Sequence, residues 1–307
     1  MNIPLVDSHR HLSGSISPEI IWEVIKNYDQ LDIASSLDDV RQQVCLIKKD
    51  INFDYFCTRF DILNKIDWTD DVIDYVAKRV CSLLKEERIQ HSTLTVSLNK
   101  FVTNDNFTSA GERVFDALNR ASASVGIGLS YLLSINYNWP IIIQTRMLQL
   151  IESLGNMVAG VDFVSNEFDA NWSIYPELLK PWHKQGKVIR AHVGERLGTC
   201  HNIQVAIEDL HVSRIAHGIY ATPEQWEIAA KNNIIFDVSI HSNIYTNAIG
   251  LKEHPINQML ACGCQIALGT DDPVQFNCTL NDEYHLAEVL GANKKRLYKM
   301  AIDARIR

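Results

Sequence analysis

Apolar positions along the chain fall into two alternating kinds of segment. Short runs rich in aliphatic and β-branched residues recur as IPLVDSH (3–9), HSTLTVSLN (91–99), GIGLSYLLSI (126–135) and VAGVDFVSN (158–166). They continue as KVIRAHVGE (187–195), RIAHG (214–218), IIFDVSIHSN (234–243) and QIALGTDD (265–272). Their length and largely apolar character predict eight strands buried on both faces. Longer stretches between them carry apolar residues at helical spacing. SPEIIWEVIKNY begins behind Ser17 as N-cap, with Pro18 at the first helical position. TDDVIDYVAKRVCSLLKEE has Thr69 as cap and acids in its first turn, where the helix dipole favours them. SAGERVFDALNRASASVG stops at Gly126, TPEQWEIAAKNN starts from Thr222 and Pro223, and TLNDEYHLAEVLG and NKKRLYKMAIDARI follow the last strand.

Strand then helix, repeated eight times, predicts a parallel sheet covered by helices. At 307 residues, eight strands favour closure into a (β/α)8 TIM barrel over an open doubly wound sheet. Residues 1–307 read as one barrel domain with extra helices inserted after strand 1, between residues 10 and 90. In that insertion NFDYFCTRFDIL (52–63) places Phe53, Phe56 and Phe60 at helical spacing. Such a stripe reads either as core packing or as an apolar lid over the barrel mouth.

Composition narrows the partners. Apolar residues make up 46% and charged residues 21%, enough for a full core. The net charge of −8 lacks the basic footprint that a nucleic acid or an anionic membrane requires. No apolar run is long enough to span a bilayer, and MNIPLVD is unlike a secretory signal. Seven cysteines at 45, 57, 81, 200, 262, 264 and 278 form no disulfide framework, so a reducing cytoplasm is expected. Cys262 and Cys264 have no second pair at zinc-ribbon spacing and read as core residues.

The polar residues matter because chemistry in such barrels sits at the carboxyl ends of the strands. In VDSHRHLSGS, His9 and His11 lie two apart and share a strand face. They are half a metal site, or a surface pair in a polar loop. Strand five ends in His192, followed by Glu195; strand six ends in His217; strand seven offers His241; strand eight ends in Asp271 and Asp272. Taken singly, His192 reads as a core histidine and TDDP as a turn. Four strands delivering imidazole or carboxylate to one rim read differently, because burying such groups together is costly without a cation or mutual pairing.

With HRHLSGS, HVGE, RIAHG and GTDDP in this order, and EHPINQML and TLNDEY flanking the last strand, the chain resembles the adenosine deaminase family of metal-dependent hydrolases from about residue 3 to 300. The resemblance implies one zinc ion per chain held by His9, His11, His192 and Asp271, with a position open for water. It implies that Asp272 aims that water, that His217 stabilises it or takes its proton, and that Glu195 protonates a ring nitrogen of a purine-like small molecule. Adenosine or 2′-deoxyadenosine is the leading substrate that it implies. Adenine, an N6-modified adenine derivative or another amino-heterocycle is the rival.

Several positions depart from the family pattern. Ser13 stands where relatives carry an acid or Asn, and Ser165 where they carry Gly; these two, with Phe56 and Phe60, are the expected substrate contacts. Thr93 and Thr95 replace a Glu-x-Arg pattern, and VSIHSN replaces a Cys-Pro segment. A two-metal barrel hydrolase is the first alternative, disfavoured because VAGVDFVSNEF lacks a bridging lysine. A non-catalytic binding protein is the second, disfavoured because no ligand position is lost. The deaminases that use Pro-Cys-x-x-Cys are excluded, since no proline here precedes a cysteine. Oligomeric state is not legible.

Overall fold

A computed structural model describes residues 4–46, 53–102, 106–246 and 248–306. Ile3 and Asn52, which open two of the predicted segments, lie outside the described residues. Eight strands form one sheet in sequential order: β1 (Leu5–His11), β2 (Ile89–Val96), β3 (Gly128–Asn136), β4 (Gly160–Val164), β5 (Val188–Val193), β6 (Arg214–His217), β7 (Ile235–Val238) and β8 (Gln265–Leu268). Every neighbouring pair is parallel. The barrel closes just beyond β8, where Asp271 N–H donates to His9 O at 2.7 Å and His11 N–H donates to Asp271 O at 2.8 Å. The seam of the (β/α)8 barrel is thus made by residues that the sequence marks for chemistry.

The caps form as the sequence predicts. Ser17 Oγ accepts from Ile20 N–H, Thr69 Oγ1 from Val72 N–H, and Thr222 makes a reciprocal capping box with Gln225. Gly126 ends its helix at φ 70°, a left-handed conformation that only glycine adopts without strain. The predicted strand 234–243 is shorter than expected. β7 ends at Val238 and a helix begins at Ile240, because the Glu283 carboxylate accepts from Ile240 and His241 N–H and fixes the new helix start. Likewise 265–272 is strand only to Leu268. The aromatic insertion is one short helix, Phe53–Cys57, followed by a 3-10 segment, Thr58–Asn64.

The barrel interior departs from a purely aliphatic filling. Arg190 on β5 is fully buried, with its guanidinium 2.6 Å from Asp162 Oδ2, 3.3 Å from Asp237 Oδ2 and 3.0 Å from the Ser8 carbonyl. Thr95 Oγ1 donates to Asp162 at 2.6 Å. Thr95 is therefore part of a buried polar network under the barrel mouth.

Candidate active site

The predicted residues come together. A cleft of about 260 Å³ at the barrel mouth is lined by His11, Ser13, Phe56, Phe60, Ser165, His192, Glu195, His217, Asp271 and Asp272. His9 is fully buried behind them. A larger cavity of about 530 Å³, lined by Arg10, Arg41, Glu87 and Cys278, contains none of the clustered histidines and so is not the candidate site. His241 stands apart: it lies on the helix after β7, and its Nδ1 is 2.8 Å from Glu283.

Four imidazoles form the floor. The His9 ring centroid lies 5.2 Å from His11, 4.8 Å from His192 and 5.5 Å from His217. His9 Nε2 and His11 Nε2 are 3.2 Å apart, and Asp271 Oδ1 lies 3.4 Å and 3.1 Å from them. His192 Nδ1 lies 2.9 Å from the Phe163 carbonyl and 3.1 Å from Asp162. Both are acceptors, so the proton sits on Nδ1. In the neutral ring the lone pair is then on Nε2, which is buried and without a hydrogen-bond partner. A buried ring nitrogen left in this state, its other nitrogen held by a carboxylate, is the arrangement of a metal-ligating histidine. Asp162 is close enough to compete as a ligand. Its oxygens are already occupied by Arg190, Thr95 and His192, whereas Asp271 offers Oδ1 to both His9 and His11.

The electrostatics also fit a cation. Burial disfavours charge on His11, yet Asp272 and Asp271 outweigh it and push His11 up to about 9. Burial, with help from Arg190 and the other imidazoles, holds His9 well below its ordinary value. The cluster draws positive charge to one point, and three imidazoles with one carboxylate are a donor set suited to Zn²⁺.

The remaining residues surround that point. Asn243 Nδ2 donates to His217 Nδ1 at 3.0 Å, while His254 Nε2 donates to Asn243 Oδ1 at 3.2 Å. With the amide so oriented, neutral His217 presents Nε2–H to the cleft, 3.9 Å from Asp271 Oδ2. Burial lowers His217 to about 3, so it stays neutral. Asp272 packs against Gly14, where a Cβ would fall 2.0 Å from Asp272 Oδ1. Only glycine permits that approach. Asp271 and His217 sit at φ 59° and 66°, and Ser165 at φ 82°. Left-handed backbone at a non-glycine residue stores strain, here at three positions that line the cleft. Ser165 directs its hydroxyl to Asn138 Oδ1, 2.6 Å away.

Glu167 is the largest omission from the sequence reading. Its buried carboxylate accepts from Gly194, Glu195 and Arg196 N–H at 2.8, 2.9 and 3.0 Å, from Thr199 Oγ1 at 2.7 Å and from Asn202 Nδ2 at 2.9 Å. One side chain on the loop after β4 therefore fixes the loop that carries Glu195. Glu167→Gln puts an amide donor among these donors. It is expected to lower turnover by about tenfold to a hundredfold, through misplacement of Glu195, while metal content stays constant. Steady-state kinetics with metal analysis checks this; an unaltered kcat removes the positioning role.

Phe56 serves both readings of the aromatic stripe. It stacks on Phe276 at 5.3 Å between ring centroids, meets Phe60 edge-on at 5.3 Å, and also lines the cleft.

Comparisons with known proteins agree with this geometry. A family model described as Adenosine deaminase matches residues 4–305. An adenosine deaminase of Clostridium acetobutylicum is 24% identical over 288 residues, covering 92% of this chain and 86% of that protein. One from Shewanella denitrificans is 26% identical over 297 residues, covering 94% and 88%. Among solved structures, the adenine deaminase of Arthrobacter aurescens superposes with TM-score 0.86 at 19% identity, covering 99% of this chain and 94% of that one. An amidohydrolase of Burkholderia ambifaria with bound Zn gives 0.87 at 19%, covering 99% and 86%. The Arabidopsis N6-mAMP deaminase gives 0.84 at 23%, covering 99% and 94%. The match spans the barrel from β1 to the last helix and includes every strand end that lends a side chain to the cleft; the chain belongs to the adenosine deaminase family and is a hydrolase acting on C–N bonds.

Proposed function

We infer that the chain is a zinc-dependent deaminase that hydrolyses the 6-amino group from a purine, with one ion held by His9, His11, His192 and Asp271. The observation that carries this reading is the buried, unpartnered Nε2 of His192 grouped with His9 and His11, both of them paired with Asp271, and Glu195 in the same cleft. A bound zinc supplies a Lewis acid and lowers the pKa of water toward neutrality.

The chain's own groups do the rest. Asp272 accepts a hydrogen bond from the attacking water and aims it. His217 donates Nε2–H to the same oxygen. The Glu195 carboxyl, pushed up to about 8 by burial and then by Asp271 and Glu167 against the pull of Arg196, carries a proton at neutral pH. It gives that proton to the ring nitrogen beside the amino-bearing carbon, which becomes electrophilic. Water adds there; one of its protons goes to the amino group, which leaves as ammonia, the other restores the Glu195 acid, and the water oxygen remains on the ring as a carbonyl. Phe56 and Phe60 cover the base, and Ser13 and Ser165 offer polar contacts. Relatives named adenosine, adenine and N6-mAMP deaminases support a 6-aminopurine as the reacting part. The free cysteines fit a cytoplasmic setting.

An ammonia-release screen of the zinc-loaded protein against adenosine, 2′-deoxyadenosine, adenine, their N6-methyl forms and the nucleotides tests the reading. Release from at least one purine is expected; silence across the panel overturns it. Chelation is expected to abolish release and stoichiometric zinc to restore it. His192→Ala is expected to lose the ion, measured by metal analysis after dialysis; one retained zinc per chain removes His192 from the ligand set.

A further inference from the structure

The wall of the cleft formed by the segment after β2 carries chemistry that the deaminase reading does not use. Lys100 lines the cleft together with Ser13, Ser97, Asn64 and Asn99. Ser13, Ser97 and Lys100 also border a small crevice with Leu12, Leu63 and Trp68, which places these three polar residues side by side over an apolar support. Burial lowers the Lys100 amine from its ordinary value, against the pull of Asp272 and Asp61. Among the described residues no carboxylate forms an ion pair with it within 4.0 Å. A half-buried ammonium that no carboxylate touches directly is costly, and an anion in the cleft relieves that cost. Its neighbours are donors too. Ser97 Oγ donates to Asn99 Oδ1 at 2.7 Å, so the Asn99 amide N–H groups are what remain to face a ligand.

Resting on the deaminase reading above, we propose that Lys100, with Ser13 and the Asn99 amide that Ser97 orients, binds a phosphate monoester on the sugar of the substrate, so that the enzyme acts on purine nucleoside monophosphates in preference to nucleosides. A phosphate presents several oxygens to several donors at once, which a ribose hydroxyl cannot do. Asp61, an acceptor on the same side of the cleft, suits the ribose hydroxyls.

The test compares AMP with adenosine in ammonia release, and IMP with inosine in calorimetric binding, for the zinc-loaded parent, Lys100→Gln and Lys100→Arg. The parent is expected to favour the phosphorylated member of each pair by about tenfold to a hundredfold, the value of one charge-assisted contact. Lys100→Gln is expected to bring the ratio close to one, and Lys100→Arg to keep most of it. Equal affinity of the parent for IMP and inosine, or a preference that Lys100→Gln leaves in place, overturns the proposal while ammonia release from adenosine keeps the deaminase reading intact. Conversely, phosphate-dependent binding that Lys100→Gln removes, with no ammonia from any purine, sinks the deaminase reading and leaves the anion site standing.

Discussion

Glu195→Gln is expected to lower ammonia release by roughly a hundredfold to ten-thousandfold, with zinc content and thermal stability unchanged. The expectation follows from what the substitution removes. Glutamine has the volume and hydrogen-bonding reach of glutamate, and the Glu195 N–H that Glu167 anchors is untouched. What disappears is a transferable proton. The parent carboxyl is buried among Asp271, Glu167 and Asp272, and it holds its proton up to about 8. Cation binding close by pulls that value down, so the acid form is lost as pH rises and the alkaline limb of kcat/KM lies at or below about pH 8. The variant should lack that limb. If Glu195→Gln turned over at the parent rate, proton donation would have to come from another group of the cleft.

Most of this site is legible in the sequence because its parts sit where strand ends can be read. His9, His11, His192 and His217 each end a run of apolar residues, and a barrel sends all such ends to one rim. Asp271 and Asp272 are legible for a different reason, as the polar break after QIALG. What escapes is anything whose role is set by contacts across the barrel. Asp162 and Arg190 look like isolated charges inside VDFV and KVIRAHV, which apolar periodicity alone scores as defects in a strand. They are buried because they pair with one another from adjacent strands, at the register Asp162 opposite Arg190. Glu167 reads as a loop acid, and only the fold shows five donors converging on it. Lys100 follows β2 in a short 3-10 turn whose course no local pattern announces. The end of β7 is misread for a related reason: SIHSN follows the apolar run without a turn signal, but Glu283, 43 residues beyond Ile240, supplies the acceptors that start a helix there.

Asp162→Asn is expected to separate stability from metal binding. In the parent, burial opposes the charge of Asp162, but Arg190 and His192 outweigh it and hold the carboxyl well below the usual carboxylate range. Replacing it by an amide leaves Arg190 with Asp237 as its remaining carboxylate, beside the Ser8 carbonyl and Thr95 Oγ1. Loss of one partner of a buried pair costs about 3 kcal/mol, read as a lower midpoint in denaturant. The second effect is local to His192. Its Nδ1–H keeps the Phe163 carbonyl but loses the carboxylate, so the ring is held less firmly and its Nε2 is a weaker base. Zinc affinity is expected to fall by about tenfold to a hundredfold, measured by competition with a chelator. Asp237→Asn supplies the contrast. Asp237 pairs with Arg190 and Arg214 but touches no clustered histidine, so it should destabilise the fold and leave zinc affinity at the parent value. Equal zinc affinities for the two variants would show that Asp162 serves the barrel interior alone, and that His192 is oriented by the Phe163 carbonyl without help from a carboxylate.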